Sequence, residues 1–186
     1  MWLRLNLEGI DFHFRISKYR KSTRENWDDE WCEIDLTLQS QEWLNYQIVS
    51  DEAMLAAEVE DVRDKINDLL HDNLDKPEKI ECIEPDFTFL LHPKEDIRNN
   101  PDVVYVKPGC EIVDIDMDFQ VSFWDRDGGL SSNRLLLSFG REDLEKFLCY
   151  FQFITGTIDD KDKTVQRLIS EGYLYGWSRW RTNWKN

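Results

Sequence analysis

The chain has 186 residues, which is enough for one domain that buries about 70% of its unfolded surface without a disulfide or metal to hold it together. Apolar residues make up 41% of it, but no run approaches the roughly 20 apolar residues of a membrane-spanning helix. The 38 acidic and 23 basic side chains give a net charge of −15, so nucleic acid and anionic membranes are poor partners, whereas a basic protein would be attracted.

The first fifty residues alternate between apolar and polar side chains, as half-buried antiparallel strands do. We predict four strands, over residues 1–7, 10–16, 31–38 and 42–49. A tight turn at Glu8-Gly9 joins the first two, and a polar loop follows the second. The N-terminus lacks the basic start and continuous apolar core of a signal peptide, so we expect a cytoplasmic protein.

The apolar period becomes helical after residue 50. A single stripe predicts a helix within residues 51–73, formed by Leu55, Val59, Val62, Ile66 and Leu69. Ser50 or Asp51 is the expected N-cap. Because residues 51–75 carry nine acidic and two basic side chains, the helix is a candidate surface for a basic partner. Its candidate contact residues are Glu58, Asp61 and Asp64.

Strands return in the second half of the chain. We predict them over residues 79–83, 86–91, 111–124 and 135–139. A hairpin at Asp127-Gly128-Gly129 joins the last two, and the long connection over residues 93–108 includes a short strand at Val103–Val106. A second helix over residues 141–155 buries an apolar stripe. The pattern predicts an α+β fold, a mostly antiparallel sheet of six or more strands with two main helices.

The composition changes near residue 156, where we divide the chain into an α+β domain (1–156) and an aromatic C-terminal extension (157–186). The extension carries six basic and four acidic side chains and includes a short helix around Val165. Its tryptophans alternate with basic residues near the end of the chain. We expect the extension to pack on the domain or on a partner, and a homodimer formed through it is an open alternative.

No residue pattern indicates a catalytic, cofactor-binding or metal site. The three histidines, His13, His71 and His92, belong to no nucleophile motif, and the four cysteines are too far apart for a structural zinc site. No glycine-rich phosphate loop is present. We therefore predict no enzyme, no cofactor and no metal. An enzyme whose site assembles from distant residues remains the alternative.

Asp114, Asp116 and Asp118 share one face of the strand over residues 111–124. Three interpretations of this face are open: a solvated surface, a docking surface for a basic partner, and a weak cation site. Glu33 and Asp35 point outward from their own strand and would extend the docking surface if that strand joined the same sheet. The candidate aromatic anchors beside this surface are Trp27, Trp31 and Trp124.

The segment Trp27-Asp28-Asp29-Glu30-Trp31 places a W-D-x-x-W cluster just before an alternating strand, and an acidic helix, further strands and a closing helix follow. Over roughly residues 8–156 this order resembles the WapI-type immunity proteins of bacterial polymorphic toxin systems. The resemblance implies a non-enzymatic cytoplasmic protein that binds and neutralises a cognate toxin encoded beside it, such as a basic nuclease. A homo-oligomeric structural or adaptor protein is the rival interpretation.

Overall fold

The computed structural model describes residues 1–23, 30–125 and 127–176. The strands in these ranges are β1 (Trp2–Leu7), β2 (Ile10–Ser17), β3 (Trp31–Ser40), β4 (Leu44–Leu55), β5 (Glu78–Glu81), β6 (Phe87–His92), β7 (Glu95–Asp96), β8 (Ile112–Val113), β9 (Asp116–Trp124), β10 (Leu130–Gly140) and β11 (Leu174–Tyr175). The helices are α1 (Ala56–Leu70), α2 (Arg141–Ile154) and α3 (Lys163–Glu171), and a 3-10 turn spans Ile97–Asn99.

The strands form two larger sheets and one small ladder. The first sheet has the order β11-β1-β2-β3-β4, the second has the order β10-β9-β6-β5, and β7 pairs with β8. Every pairing is antiparallel. The predicted α+β fold with at least six antiparallel strands is confirmed, but its strands are divided between sheets instead of forming one.

The core lies where the two larger sheets face each other. Phe12 of β2 meets Phe119 of β9 and Phe139 of β10, with ring centroids 5.9 and 5.3 Å apart. Phe147 of α2 completes this contact at 6.2 Å from Phe12. Edge-to-face pairs of this kind add to the stabilisation from apolar burial. The inward faces are those that the alternating patterns predicted, so each sheet presents its polar residues on the opposite, outer side.

The predicted N-cap of the first long helix is wrong. Ser50 and Asp51 lie within β4, and α1 begins only at Ala56. The strand continues this far because Met54 and Leu55 still pair with the start of β3. The register to β3 shifts twice along β4, and Ser50, whose φ is 50°, lies at the first of these irregularities.

The connection between β6 and β9 also differs from the prediction. Residues 103–106 form no strand, and the side chain of Val104 is fully exposed. The pattern of β-branched residues finds no partner strand there, and β-propensity without pairing does not make a strand. The strand predicted over residues 111–124 is interrupted at Asp114 and Ile115, and only its part from Asp116 onward joins the second sheet.

The described part of the C-terminal extension packs against the domain. Asp162 caps α3 by accepting hydrogen bonds from the Thr164 and Val165 amides, and Gly172 ends the helix in the left-handed region. Tyr175 then pairs with Trp2 as β11 joins the first sheet.

Two predictions concern residues outside the described ranges. Trp27 is a candidate anchor, and residues 177–186 hold the tryptophans through which a homodimer is the open alternative. Both stay predictions.

Candidate functional site

The three aspartates predicted to form an acidic face have partners within the protein. Asp114 binds the Arg141 guanidinium through both carboxylate oxygens, at 2.7 and 3.0 Å, which lowers its pKa to about 2. Asp118 accepts a hydrogen bond from the Ser138 hydroxyl, and the His92 imidazole lies 3.5 Å from it and 4.0 Å from Asp116. Much of the charge on this face is therefore compensated or spread among neighbours.

Glu33 and Asp35 do not extend this face. They lie on the outer side of β3 in the first sheet, whereas β9 belongs to the second, and the inner faces of the two sheets meet in the core. The two outer faces consequently point in opposite directions. The condition under which the five acidic positions would form one docking surface is not met, because alternation fixes which face a side chain takes but not which sheet its strand joins.

Asp35 has a structural role instead. Its side chain is 5% exposed, forms an ion pair with Arg15 and accepts a hydrogen bond from the Ser50 amide at 3.0 Å. The carboxylate thus holds the bulge of β4 in place, since the Ser50 amide is one of the groups that a bulge removes from the ladder. Glu33 forms an ion pair with Lys18 beside it.

The three predicted acids of α1 differ from one another. The Glu58 carboxylate accepts hydrogen bonds from the Leu55 amide at 2.8 Å and from the Ile83 amide at 2.5 Å, so it fixes both the start of the helix and the loop between β5 and β6. Asp64 lies 2.7 Å from the Arg63 guanidinium. Asp61 is exposed, one helical turn beyond Glu58.

Four carboxylates gather where α1 begins, at the end of the molecule formed by the last part of β4 and the loop between β5 and β6. We refer to them as the acidic end: Asp51, Glu58, Glu84 and Asp86. Two stretches of sequence supply them, residues 31–62 and 80–91, and neither contains a lysine, an arginine or a histidine. The fold therefore brings together two acidic segments that contain no base of their own.

The pKa values of two carboxyls in this region are raised, first by burial and then by neighbouring acids. Burial raises the pKa of Asp86, and the nearby Asp51 carboxylate raises it further. Burial also raises the pKa of Glu58, with Glu84 and Asp61 acting in the same direction against its two hydrogen bonds. Among the described residues, no basic side chain offsets either shift. Arg126 lies outside the described residues.

Exposed apolar side chains lie beside these carboxylates. The Trp124 indole is 45% exposed and donates a hydrogen bond from Nε1 to Asp86 at 2.6 Å. Tyr46 packs edge-on against Phe123 with their centroids 5.0 Å apart, and Ile83 is 55% exposed. An exposed tryptophan bordered by acidic groups is typical of a surface that buries an aromatic anchor on binding.

The structure thus brings some of the predicted site residues together and separates others. Trp124 and Glu58 belong to this end, and Trp31 is half-buried opposite Leu55 just before the helix. Asp51, Glu84 and Asp86 were not predicted as site residues. The sequence shows only that no bases surround them. They come together through a long-range contact between β4 and the β5–β6 loop, and such a contact leaves no local pattern in the sequence.

The model of the WapI-like immunity protein family matches residues 3–152. That match covers most of the chain. This protein belongs to the WapI-like immunity protein family. The family assignment carries an immunity role and agrees with the resemblance found in the residue order. A search of curated proteins gives no match.

A cavity of about 320 Å³ in this WapI-like protein lies between the end of α1, α2 and the segment before α3, and includes His71, Arg141 and Cys149 in its walls. None of the predicted site residues lines it.

His13 lies on the outer face of β2. An enzyme site assembled from distant residues would instead be expected to bring it into a pocket with two carboxylates. Its Nδ1 is 2.6 Å from the Tyr175 hydroxyl, and burial, followed by Arg4, lowers its pKa to about 4.

Two further features bear on the predicted site classes. Within the ranges that the structure describes, no three His, Cys, Asp or Glu side chains come together as metal ligands. No helix in the same ranges is long and apolar enough to cross a membrane.

Proposed function

We propose that this immunity protein neutralises a cognate protein toxin by binding it without catalysis, and that the acidic end together with Trp124 is the docking surface. The observation that carries the proposal is an exposed indole beside carboxylates that have no basic partner among the described residues, at one end of a family member. A toxin with a basic surface, such as the substrate groove of a nuclease, would complement this end in charge.

The two kinds of residue would act on different steps of binding. The carboxylates attract a basic partner over a distance and raise the association rate, an effect that weakens as salt shortens the Debye length from about 10 Å at 0.1 M to about 3 Å at 1 M. Trp124 and Ile83 supply apolar surface that becomes buried, so they act mainly on the dissociation rate. Asp86 joins the two, because it holds the Trp124 indole while it presents charge.

The test measures association and dissociation rates with the toxin that the family resemblance implies, the C-terminal domain of a secreted protein encoded beside this one. The acidic-end variant, Asp51→Asn with Asp86→Asn, keeps the oxygen that accepts the Trp124 hydrogen bond. We expect it to slow association about three- to tenfold at low salt, with a smaller effect at 1 M salt. Trp124→Ala is expected to speed dissociation instead.

The matched control is the triple variant Asp114→Asn, Asp116→Asn and Asp118→Asn, which removes three charges against two, from the start of β9 and the residues just before it. We expect it to change association less than twofold. If the control slows association and the acidic-end variant does not, the docking surface is the face of β9 and the proposed site is wrong. If the two proteins form no complex at all, the proposed function is wrong.

A further inference from the structure

The first part of β4 is an outer strand without the features that normally keep such strands from pairing with other chains. It ends its sheet, and no other strand of the described chain pairs with its outer edge. Its first six residues, Leu44–Val49, have the sequence Leu-Asn-Tyr-Gln-Ile-Val, with no charge, no proline and no glycine. Outer strands of monomers are usually short, charged or bulged, because their free N–H and C=O groups invite pairing.

Two of the other three outer strands have such protection, and the third, β10, has a regular ladder only from Arg134 to Gly140, where it carries one charge. β11 is two residues long, and β5 is four residues long with three charged side chains. β10 pairs with β9 through a register shift between Leu130 and Arg134. In β4, by contrast, the ladder to β3 is regular from Leu44 to Ile48, and its bulge comes later, at Ser50.

The flanks of this segment indicate the chemistry of what would pair with it. Glu42 precedes it, and Asp51 and Glu52 follow it, all exposed. Asp86 lies close to Asp51, on the side of the Trp124 indole. Exposed Trp43 and Val49 stand at its two ends, 66% and 70% exposed. At about 3.3 Å per residue the six residues span roughly 20 Å, which suits a short extended segment.

We infer that the toxin docks by adding an extended, basic segment to the outer edge of β4 at Leu44–Val49. This rests on the proposed function and states how the partner is held. Main-chain hydrogen bonds to β4 would fix the segment, and its lysine or arginine side chains would reach the acids that flank the strand. A second copy of this chain fits poorly, since antiparallel pairing of two β4 strands would bring Glu42 of each copy towards Asp51 and Glu52 of the other.

Hydrogen exchange of the complex with the toxin domain tests the inference directly. We expect amides within Leu44–Val49 to exchange at least tenfold more slowly in the complex than in the free protein. A stable complex that leaves these amides unchanged would overturn the edge inference and leave the proposed function standing, whereas absence of a complex would overturn both. Slower exchange in the free protein as its concentration rises would identify a second copy as the occupant and refute the inference.

A charge placed on the edge gives an independent test. Gln47 is exposed on the outer face of β4, so Gln47→Lys spares the core and should weaken toxin binding at least fivefold by repelling a basic segment. Gln47→Glu is expected to leave binding unchanged or to tighten it. The control is Gln39→Lys, on the same outer face one strand inward, with an expected change below twofold. Equal losses for Gln47→Lys and Gln39→Lys would mean that the face and not the edge is in contact, which contradicts the inference.

Discussion

Replacing Asp35 by asparagine tests whether a buried acid contributes more to the stability of this protein than an exposed one. Asp35 and Asp114 look alike in the sequence, since each alternates with apolar residues in a predicted strand. In the structure the Asp35 side chain is 5% exposed and its Arg15 partner 21%, against 57% and 35% for Asp114 and Arg141. The two substitutions should therefore have very different effects on stability.

The expected magnitude follows from what each carboxylate holds. Asp35→Asn removes the carboxylate charge from the ion pair with the mostly buried Arg15 guanidinium and weakens the acceptor of the Ser50 amide. Breaking a fully buried ion pair costs about 3–5 kcal/mol, and Arg15 keeps some solvent and its contact with the Trp2 ring, so we expect a loss of about 2–4 kcal/mol. For an exposed pair such as Asp114 and Arg141 the expected loss is below about 1 kcal/mol.

Thermal unfolding followed by circular dichroism measures the difference. A domain of this size loses about 2–4 °C in Tm per kcal/mol, so Asp35→Asn should melt about 4–16 °C below the parent protein and Asp114→Asn less than about 4 °C below it. A melting temperature within 2 °C of the parent for Asp35→Asn would refute the structural role given to its ion pair. So would an equal or larger loss for Asp114→Asn.

Three further predictions follow from the titratable groups. The pKa of Asp114 is lowered to about 2, so its ion pair stabilises the fold fully at pH values above the pKa of the unfolded carboxyl. This stabilisation is lost as the carboxylate is protonated. The Tm difference between the parent and Asp114→Asn should therefore disappear as the pH falls from 6 to 2. The pKa of Asp86 is raised, so its ionised form costs stability at neutral pH, and Asp86→Asn should keep or raise the Tm at pH 7; a clear drop would contradict this. Burial raises the pKa of Cys32 to about 12 and of Cys149 to about 11, and Cys82 is buried too. A thiol reagent at pH 7.5 should therefore label Cys110 alone until the protein unfolds, and fast labelling of a second thiol would contradict this prediction. Neither dithiothreitol nor EDTA should shift the Tm.

The strands and helices of this protein could be predicted where the spacing of apolar residues in the sequence matches the side chains that are buried in the structure. Phe12, Phe14 and Ile16 alternate with polar residues and are all buried, and the stripe of α1 from Val59 to Leu69 is buried as its spacing predicted. Prediction failed where pairing with a distant strand decides the structure. Residues 51–55 have a helical spacing with α1, yet they extend β4 because β3 pairs with them.

The candidate site could be predicted only in part, for the same reason. The acidic character of α1 and the role of Trp124 as an exposed aromatic were accessible from composition and alternation. The proximity of Asp51 to Asp86 was not, since it depends on how the first sheet lies against the β5–β6 loop, 35 residues later in the chain. Alternation also allowed Asp35 and Asp114 to share one surface if their strands joined the same sheet, but β3 and β9 belong to different sheets, and Asp114 lies just before β9.

Asp35 and Asp86 show how burial alone does not decide the role of a carboxylate. Both residues are almost fully buried, at 3% and 5% exposure. Asp35 lies against Arg15, so its charge is balanced within the fold. Asp86 accepts hydrogen bonds from neutral groups, the Trp124 indole and its own backbone amide, and lies near another carboxylate, Asp51, so within the described residues its charge is left unbalanced. A buried charge without a counter-charge destabilises the protein that carries it, and a basic group from a partner would remove that cost on binding. The free energy that Asp86 takes from folding would then reappear as affinity, which is why the same substitution is expected to stabilise the free protein and weaken the complex.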